Sequence, residues 1–237
     1  MLGDTGHVGW SETYWERVAR TRWGAYMSHV EERALRKAHE LSERPTAALD
    51  VGAEGWRWSK MLADLGWKMT CTDTDAGALA VCGRRVPTAS CVLVGRDERR
   101  LPCMSESMGL LLCIEVPPVI QADWFVRESS RVLQNGGLLV GVFWNRTSLR
   151  GFAAHCKSRI KGAYDYYRLP YPAWRRMLVR SGYSILHEEG CCWGPFSRTS
   201  DSVLVPSFVR TEERLRLRKL PLTSPWIVFI AQKSKCV

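Results

Sequence analysis

Apolar positions in the first part of the chain recur at threes and fours. Between residues 11 and 42, Tyr14, Trp15, Val18, Trp23, Tyr26, Met27, Val30, Ala34, Leu35, Ala38 and Leu41 are set among charged residues. That period predicts amphipathic helix in two pieces, with Gly24 as the weak point and Ser11 as N-cap of the first. Arg44-Pro45 ends the region, because the residue before proline is pushed out of helical geometry. From Thr46 onward the texture changes to short apolar runs separated by helical patterns. Strands are predicted at Ala47 to Val51, Lys68 to Thr72, Ser90 to Val94, Met108 to Ile114 and Leu138 to Trp144. Helices are predicted at Trp58 to Leu65, Ala76 to Arg84 and Asp123 to Leu133, and Asn135-Gly136-Gly137 reads as a turn. Strands alternating with helices in units of this size imply an α/β fold, a parallel sheet covered on both faces. Beyond residue 150 a helix at Tyr171 to Ser181, a strand at Tyr183 to Glu188 and a last strand at Trp226 to Ala231 flank a Gly-, Pro-, Ser- and Arg-rich stretch from Gly190 to Pro225, in which Arg210 to Lys219 reads as a helix with one charged face.

Composition refines this picture. A chain of 237 residues with 46% hydrophobic residues fits one large domain, or one domain with an appendage, and excludes wholesale disorder. No apolar run approaches the ~20 residues that cross a bilayer, and MLGDTGHVGW lacks the features of a secretion signal, so a cytoplasmic location is expected. The 9 cysteines are scattered, without a CxxC or a Cys/His spacing suited to zinc. Reduced thiols and no metal site are the reading, with Cys191 and Cys192 the pair to watch. The net charge of +10 is unevenly placed: residues 1–150 carry 19 basic and 18 acidic side chains, residues 151–237 carry 15 and 6. The basic character therefore bears on whatever the C-terminal third touches.

The informative segment is Ala48-Leu49-Asp50-Val51-Gly52-Ala53-Glu54-Gly55-Trp56-Arg57-Trp58-Ser59, a buried strand entering a glycine turn and then a helix. Glycine there admits a ligand that a Cβ would exclude, and the helix start presents unpaired N–H groups. Asp73 closes the next predicted strand. An acidic side chain at that place in a doubly wound sheet faces a nucleoside ribose, where its oxygens accept from both hydroxyls. A dinucleotide site needs GxGxxG, which this turn lacks, and Glu54 and Trp56 would oppose a pyrophosphate by charge and volume. A cofactor with a ribose and a neutral or cationic tail is favoured.

With these motifs the chain resembles the class I S-adenosylmethionine-dependent methyltransferases, of the small-molecule, type 11-like kind. LDVGAEGWRWS resembles the family's glycine-rich first motif, TCTDTD its ribose-binding strand end, and VGRDERRLP the segment whose acidic residue lies by the adenine. LLLCIEV resembles the fourth-strand motif and RVLQNGGLLVGVFWN the helix, Gly-Gly turn and fifth strand, so the match spans roughly residues 46 to 145. The resemblance implies a doubly wound, mostly parallel seven-stranded sheet with an N-terminal helical cover, residues 1–44 as cap and 45–237 as methyltransferase domain, with 145–180 and 190–225 as insertions. It implies S-adenosyl-L-methionine as cofactor. Gly52 and Gly55 would pass near its methionine portion and Asp50 would orient the turn or the amino group. Asp73 would bind the ribose hydroxyls, Asp97 the adenine amino group, and the backbone near Cys113 the methionine end. Glu54 and Trp56 stand where the family has its second and third glycines, Gly109 where an acidic residue often opens the fourth strand, and Pro117-Pro118 where polar residues are common.

Methyl transfer from a sulfonium is mainly a matter of alignment, and a general base is needed only for a protonated acceptor. Glu115, His155, His187 and Tyr14 are the candidate bases, none with a motif around it; no catalytic residue is assigned. The resemblance places Tyr14 or Trp15 over the cofactor opening, with packing against the sheet as the competing reading. The acceptor is expected to meet Trp144, Asn145, Phe152, His155, Tyr164, Tyr166, Tyr167 and Trp174. Aromatics mixed with Arg and Lys suit a planar or anionic small molecule. RNA, DNA or protein methylation through the basic C-terminal third is the rival. A non-catalytic binding protein on a degenerate methyltransferase fold is the third possibility. The oligomeric state does not follow from the sequence.

Overall fold

The computed structural model describes residues 13–234, and the expected Ser11 cap lies outside them. Seven strands form one sheet in the order β3-β2-β1-β4-β5-β7-β6. They are β1 (Ala47–Val51), β2 (Lys68–Asp73), β3 (Ser90–Leu93), β4 (Met108–Cys113), β5 (Leu133–Trp144), β6 (Tyr183–Cys191) and β7 (Trp226–Lys233). β1 to β5 pair in parallel, and β7 runs antiparallel to both its neighbours, β5 and β6. The doubly wound α/β reading therefore holds, with a single reversed strand among the seven.

The helices are α1 (Tyr14–Arg20), α2 (Arg22–Leu41), α3 (Arg57–Asp64), α4 (Ala76–Arg85), α5 (Pro117–Ile120), α6 (Phe125–Val132), α7 (Leu149–Lys161), α8 (Tyr171–Arg180) and α9 (Val205–Arg214). On one face of the sheet α2 and α3 bury Leu35, Ala38 and Leu62 against Ala48, Met69, Leu110, Leu138 and Ile230. On the other, α5, α6 and α8 bury Ile120, Phe125, Val132, Trp174 and Leu178 against Leu49, Leu111, Phe143 and Phe229. Leu110, Leu111 and Leu112 are wholly inaccessible, as a central parallel strand covered on both faces requires. No helix among the described residues is long and apolar enough to cross a membrane.

Three expectations change. The N-terminal break falls at Thr21, which turns out of helix at φ −75°, ψ 153° and caps α2 through Gly24 N, while Thr13 and Glu16 form the capping box of α1. Gly24 is helical, and it is glycine because α1 crosses directly above it: an added Cβ would lie 1.8 Å from the Val18 carbonyl oxygen. Asn135-Gly136-Gly137 lies within β5 instead of before it, where the pairing shifts between Met108 and Leu110 and Gly136 has φ 82°. Residues 149–161, outside any predicted element, are helix α7, and the helix expected over Arg210 to Lys219 is α9, which starts earlier at Val205 and ends at Arg214. The exposed Leu149, Phe152 and Ile160 on α7 hid its period, since helical reading relies on a buried stripe.

Because α1 rests on a glycine, Gly24→Ala is expected to lift α1 from α2 at a cost of about 1–3 kcal/mol. Hydrogen exchange should then accelerate across residues 14–20 while β4 and β5 stay protected. Unchanged exchange in α1 would show that the backbone absorbs the methyl group.

Candidate cofactor and acceptor site

The chain reverses its direction of winding between β1 and β4, and in open α/β sheets the crevice beyond the strand ends at that point receives ligands. Two cavities adjoin there. The larger, of about 210 Å³, is bounded by Gly52, Thr72, Asp73, Val94, Glu115 and Val119 among others. The smaller, of about 30 Å³, runs beneath α2 past Glu31, Asp50, Trp56, Arg57, Trp58 and Glu115. Trp15, Gly52, Ile114 and Glu115 border both.

Each wall has a local cause. Gly52 takes φ 78°, and a Cβ there would come within 2.5 Å of Val116 Cγ2, so strand β1 can leave the sheet beside the β4 turn only with glycine. Residues Ala53–Gly55 form one 3₁₀ turn, and Trp56 then adopts φ 37°, ψ −19° at the start of α3. Trp56 thus holds a left-handed conformation without being glycine, a strain of about 1–2 kcal/mol. Glu54 lines the larger cavity with Asp73 and Trp56 lines the smaller, so both substituted positions form part of the cleft wall while the two cavities stay open.

Asp50 is buried, lines the small cavity and accepts from Ser59 Oγ on α3 at 2.5 Å. Asp73 stands at the end of β2, and its Oδ1 accepts from Asp75 N at 3.0 Å. Asp75, and not Asp73, caps α4, accepting from Gly77 N and Ala78 N. Burial raises the Asp73 carboxyl while the amides of Asp75, Thr74 and Glu54 hold it down. Gly55 lies in the 3₁₀ turn, and Cys113 is the buried last residue of β4, immediately before the cleft residues Ile114 and Glu115. Asp97 is exposed in the turn after β3 and is not among the residues bounding either cavity.

Four groups that local motifs did not mark converge on the crevice: Glu31 from α2, Arg57 from α3, Glu115 after β4 and Arg198 from the segment between β6 and α9. Glu115 was a candidate base without a motif; the other three were not singled out. Arg198 Nη2 lies 3.3 Å from Glu115 Oε2. Its guanidinium is stacked against Trp144, Trp15 and Trp226 at 4.6, 5.1 and 5.5 Å from the ring centroids. Arg57 Nη1 donates to Ser28 Oγ at 2.8 Å, but its Nε and the Trp56 and Trp144 indole N–H groups are buried without a partner. Buried donors left this way cost about 1–3 kcal/mol each.

The other candidate bases lie elsewhere. His155 pairs with Asp165 at 2.5 Å, His187 contacts Lys37 and Glu189 within β6, and Tyr14 is exposed. Several residues expected at the acceptor are structural: Asn145 donates to the Leu222 and Ser224 carbonyls, Trp174 donates to the Ile120 carbonyl, and Tyr167 accepts from Trp226 Nε1. Phe152, Tyr164 and Tyr166 are exposed on the outer surface.

Burial pushes the Asp50 carboxyl up to about 6, against the Ser59 hydrogen bond and with Asp73 adding. In the folded chain this group therefore keeps its proton to a higher pH than its ordinary 3.8. Between those values a rise in pH favours the unfolded chain, so the stability that Asp50 contributes falls by up to about 3 kcal/mol on going from acid to neutral pH. Melting curves of Asp50→Asn should accordingly gain on the wild type between pH 4 and pH 7. A pH-independent difference would show that Asp50 ionises normally.

Residues 49–141 match a family model described as a methyltransferase domain. No curated protein matches the chain. Among solved structures, an S-adenosylmethionine-dependent methyltransferase of Listeria monocytogenes, described as putative, aligns at TM-score 0.63 and 14% identity, over 89% of this chain and 100% of that one. One from Mesorhizobium loti aligns at 0.60 and 18%, over 85% and 97%. The N-methyltransferase NodS of Bradyrhizobium japonicum, solved with S-adenosyl-L-homocysteine, aligns at 0.59 and 11%, over 92% and 90%. At these identities the likeness is one of fold.

Proposed function

We propose that this chain, which carries a class I S-adenosylmethionine-dependent methyltransferase domain, transfers a methyl group to a small planar or anionic acceptor. The domain is enzymatic and its cofactor is S-adenosylmethionine. The observation that carries the reading is the pairing of the two cavities across Gly52, because their polar groups suit the two ends of one molecule. At the outer end Asp73 offers carboxylate oxygens for a ribose diol beside the apolar walls of Val94, Val116 and Val119. At the inner end the unpartnered Trp56 Nε1 and Arg57 Nε suit an α-carboxylate, and Asp50 suits an α-ammonium. When bound, the cofactor supplies an electrophilic methyl group on a sulfonium.

The chain's own residues contribute alignment and exclusion of water. Trp15 covers both cavities, and the backbone at Gly52 lets a ligand cross from one to the other. Holding two reactants in attack geometry supplies several kcal/mol, about 7–11 at the favourable limit. The planar or anionic preference is supported by the aromatic and cationic lining of the inner cavity, where Trp15, Trp56, Trp58 and Arg57 face the space. A non-catalytic role is disfavoured because two adjoining cavities persist beside Gly52 with Glu54 and Trp56 in their walls. A nucleic-acid acceptor is disfavoured because the exposed cations of α7 and α9 line neither cavity.

Isothermal titration with S-adenosylmethionine tests the assignment. Asp73→Ala is expected to weaken binding at least tenfold, whereas near-normal affinity would place the ribose elsewhere.

A further inference from the structure

Glu115 has no role in that account, yet its placement is costly in three independent ways. Its backbone sits at φ 56°, a left-handed conformation that a residue with a side chain adopts at a price of about 1 kcal/mol or more. Its side chain is only 4% exposed. Neither carboxyl oxygen has a hydrogen-bond partner among the described residues, and the group's charge is met by the Arg198 ion pair at 3.3 Å. The strain is what turns the carboxyl inward, from the end of β4 into the boundary between the two cavities.

The surroundings of that carboxyl are contributed by several elements. From α2, the 5% exposed Glu31 lines the same small cavity as Glu115, and each carboxyl bears electrostatically on the other. The guanidiniums of Arg57 on α3 and Arg198 before α9 face it. The thiol of Cys192, at the end of β6, is pushed up by burial and stays neutral. Asp50, on β1, lines the same small cavity. Neither cation is free to move closer, since Arg57 is tied to Ser28 and Arg198 is wedged among three indoles. Two carboxyl groups buried in one small cavity repel one another when both are ionised, which favours a proton on one of them. Burial acts on both in the same direction, raising Glu31 well above the usual range, with Glu115 adding to it, and raising Glu115 against the two guanidiniums.

We infer that the Glu31–Glu115 pair is a proton-accepting device of the methyl-transfer site, with Glu115 as the base and Glu31 as its positioning residue, and that the acceptor atom is a nitrogen or oxygen that carries hydrogen. The inference rests on the methyltransferase reading above. The pair gives up this proton when a positive sulfonium charge occupies the cleft, because an adjacent cation favours the ionised carboxyl. In the transfer itself the acceptor's lone pair forms the new bond to the methyl carbon. The carbon–sulfur bond breaks with its electron pair left on a neutral thioether sulfur. The N–H or O–H proton moves to the Glu115 carboxylate, so that charge and atoms balance.

Calorimetric titration of the full chain at pH 7 with S-adenosylmethionine and, separately, with the uncharged S-adenosylhomocysteine tests this in buffers of low and high ionisation enthalpy. Binding of the sulfonium should release about half to one proton more than binding of the thioether. That excess should vanish in Glu115→Gln and in Glu31→Gln, each shown to be folded by its retained heat of binding to S-adenosylhomocysteine. Equal proton release for the two ligands, or an excess that survives in both variants, would overturn the inference and leave the cofactor site intact. Absence of heat with either ligand would overturn the methyltransferase reading itself. Labelled methyl groups transferred into a small-molecule cell extract should be recovered on nitrogen or oxygen and fall at least tenfold in Glu115→Gln. Recovery on carbon or sulfur would overturn the base assignment, and no transfer to small molecules would overturn the small-molecule acceptor.

Discussion

The contact on which the crevice depends is the Arg198 guanidinium between Glu115 and the indoles of Trp15, Trp144 and Trp226. It ties the covering helix α1 and the irregular segment before α9 to the adjoining ends of β5 and β7 and the turn after β4. Arginine suits the place because a planar, weakly hydrated cation stacks on rings on both faces while its edge meets a carboxylate. Each desolvated cation–π contact contributes about 1–2 kcal/mol. The larger effect is electrostatic, because a buried carboxyl deprived of its cation costs about 3–5 kcal/mol. Arg198 therefore allows Glu115 to be buried at all, and Glu115 in turn fixes where the covering aromatics settle.

Around this contact the sheet acts as a frame. The parallel strands β1, β2 and β4 end together, which sets Asp50, Asp73 and Glu115 along one edge. The tight packing of Gly52 on Val116 prevents the β1 and β4 turns from separating. The buried N–H groups of Trp56, Arg57 and Trp144 are tolerated in this rigid frame without partners, and that is the signature of groups kept for something that binds.

Much of the frame was legible in the sequence because it is written locally. The run Ala47–Val51, the glycine at 52 and the aspartate at 73 each announce themselves within a few residues, and the strands fall within a residue or two of their expected places up to β4. Asp97 stands outside the cleft lining because the turn after β3 is held by a local bond from Glu98 N to Gly95 O, with nothing that draws it inward. Glu31, Arg57 and Arg198 escaped notice for the opposite reason. Each sits in an unremarkable charged context, and only the crossing of α2 over β1 and β4 makes neighbours of residues so far apart along the chain. Gly24 shows the same limit: its lack of a side chain reads as weakness in sequence, whereas in the fold it is the surface on which α1 lies.

The uneven charge acquires a more restricted meaning. Of the cations in the C-terminal third, Lys157, Arg159 and Lys161 are exposed on α7, and Arg210 and Arg214 are exposed on α9. Arg150 is bound to the carbonyls of Gly194 and Phe196, and Arg175 to Glu188. A count of +9 over that region therefore says little about what the crevice accepts. The meaningful quantity is the local balance, two guanidiniums against two carboxyls, which is neutral when both carboxyls are ionised and singly positive when one holds a proton. On the proton-acceptor proposal, a site so poised changes its charge when a charged ligand enters, and for methyl transfer from a sulfonium that property matters more than a fixed surface potential.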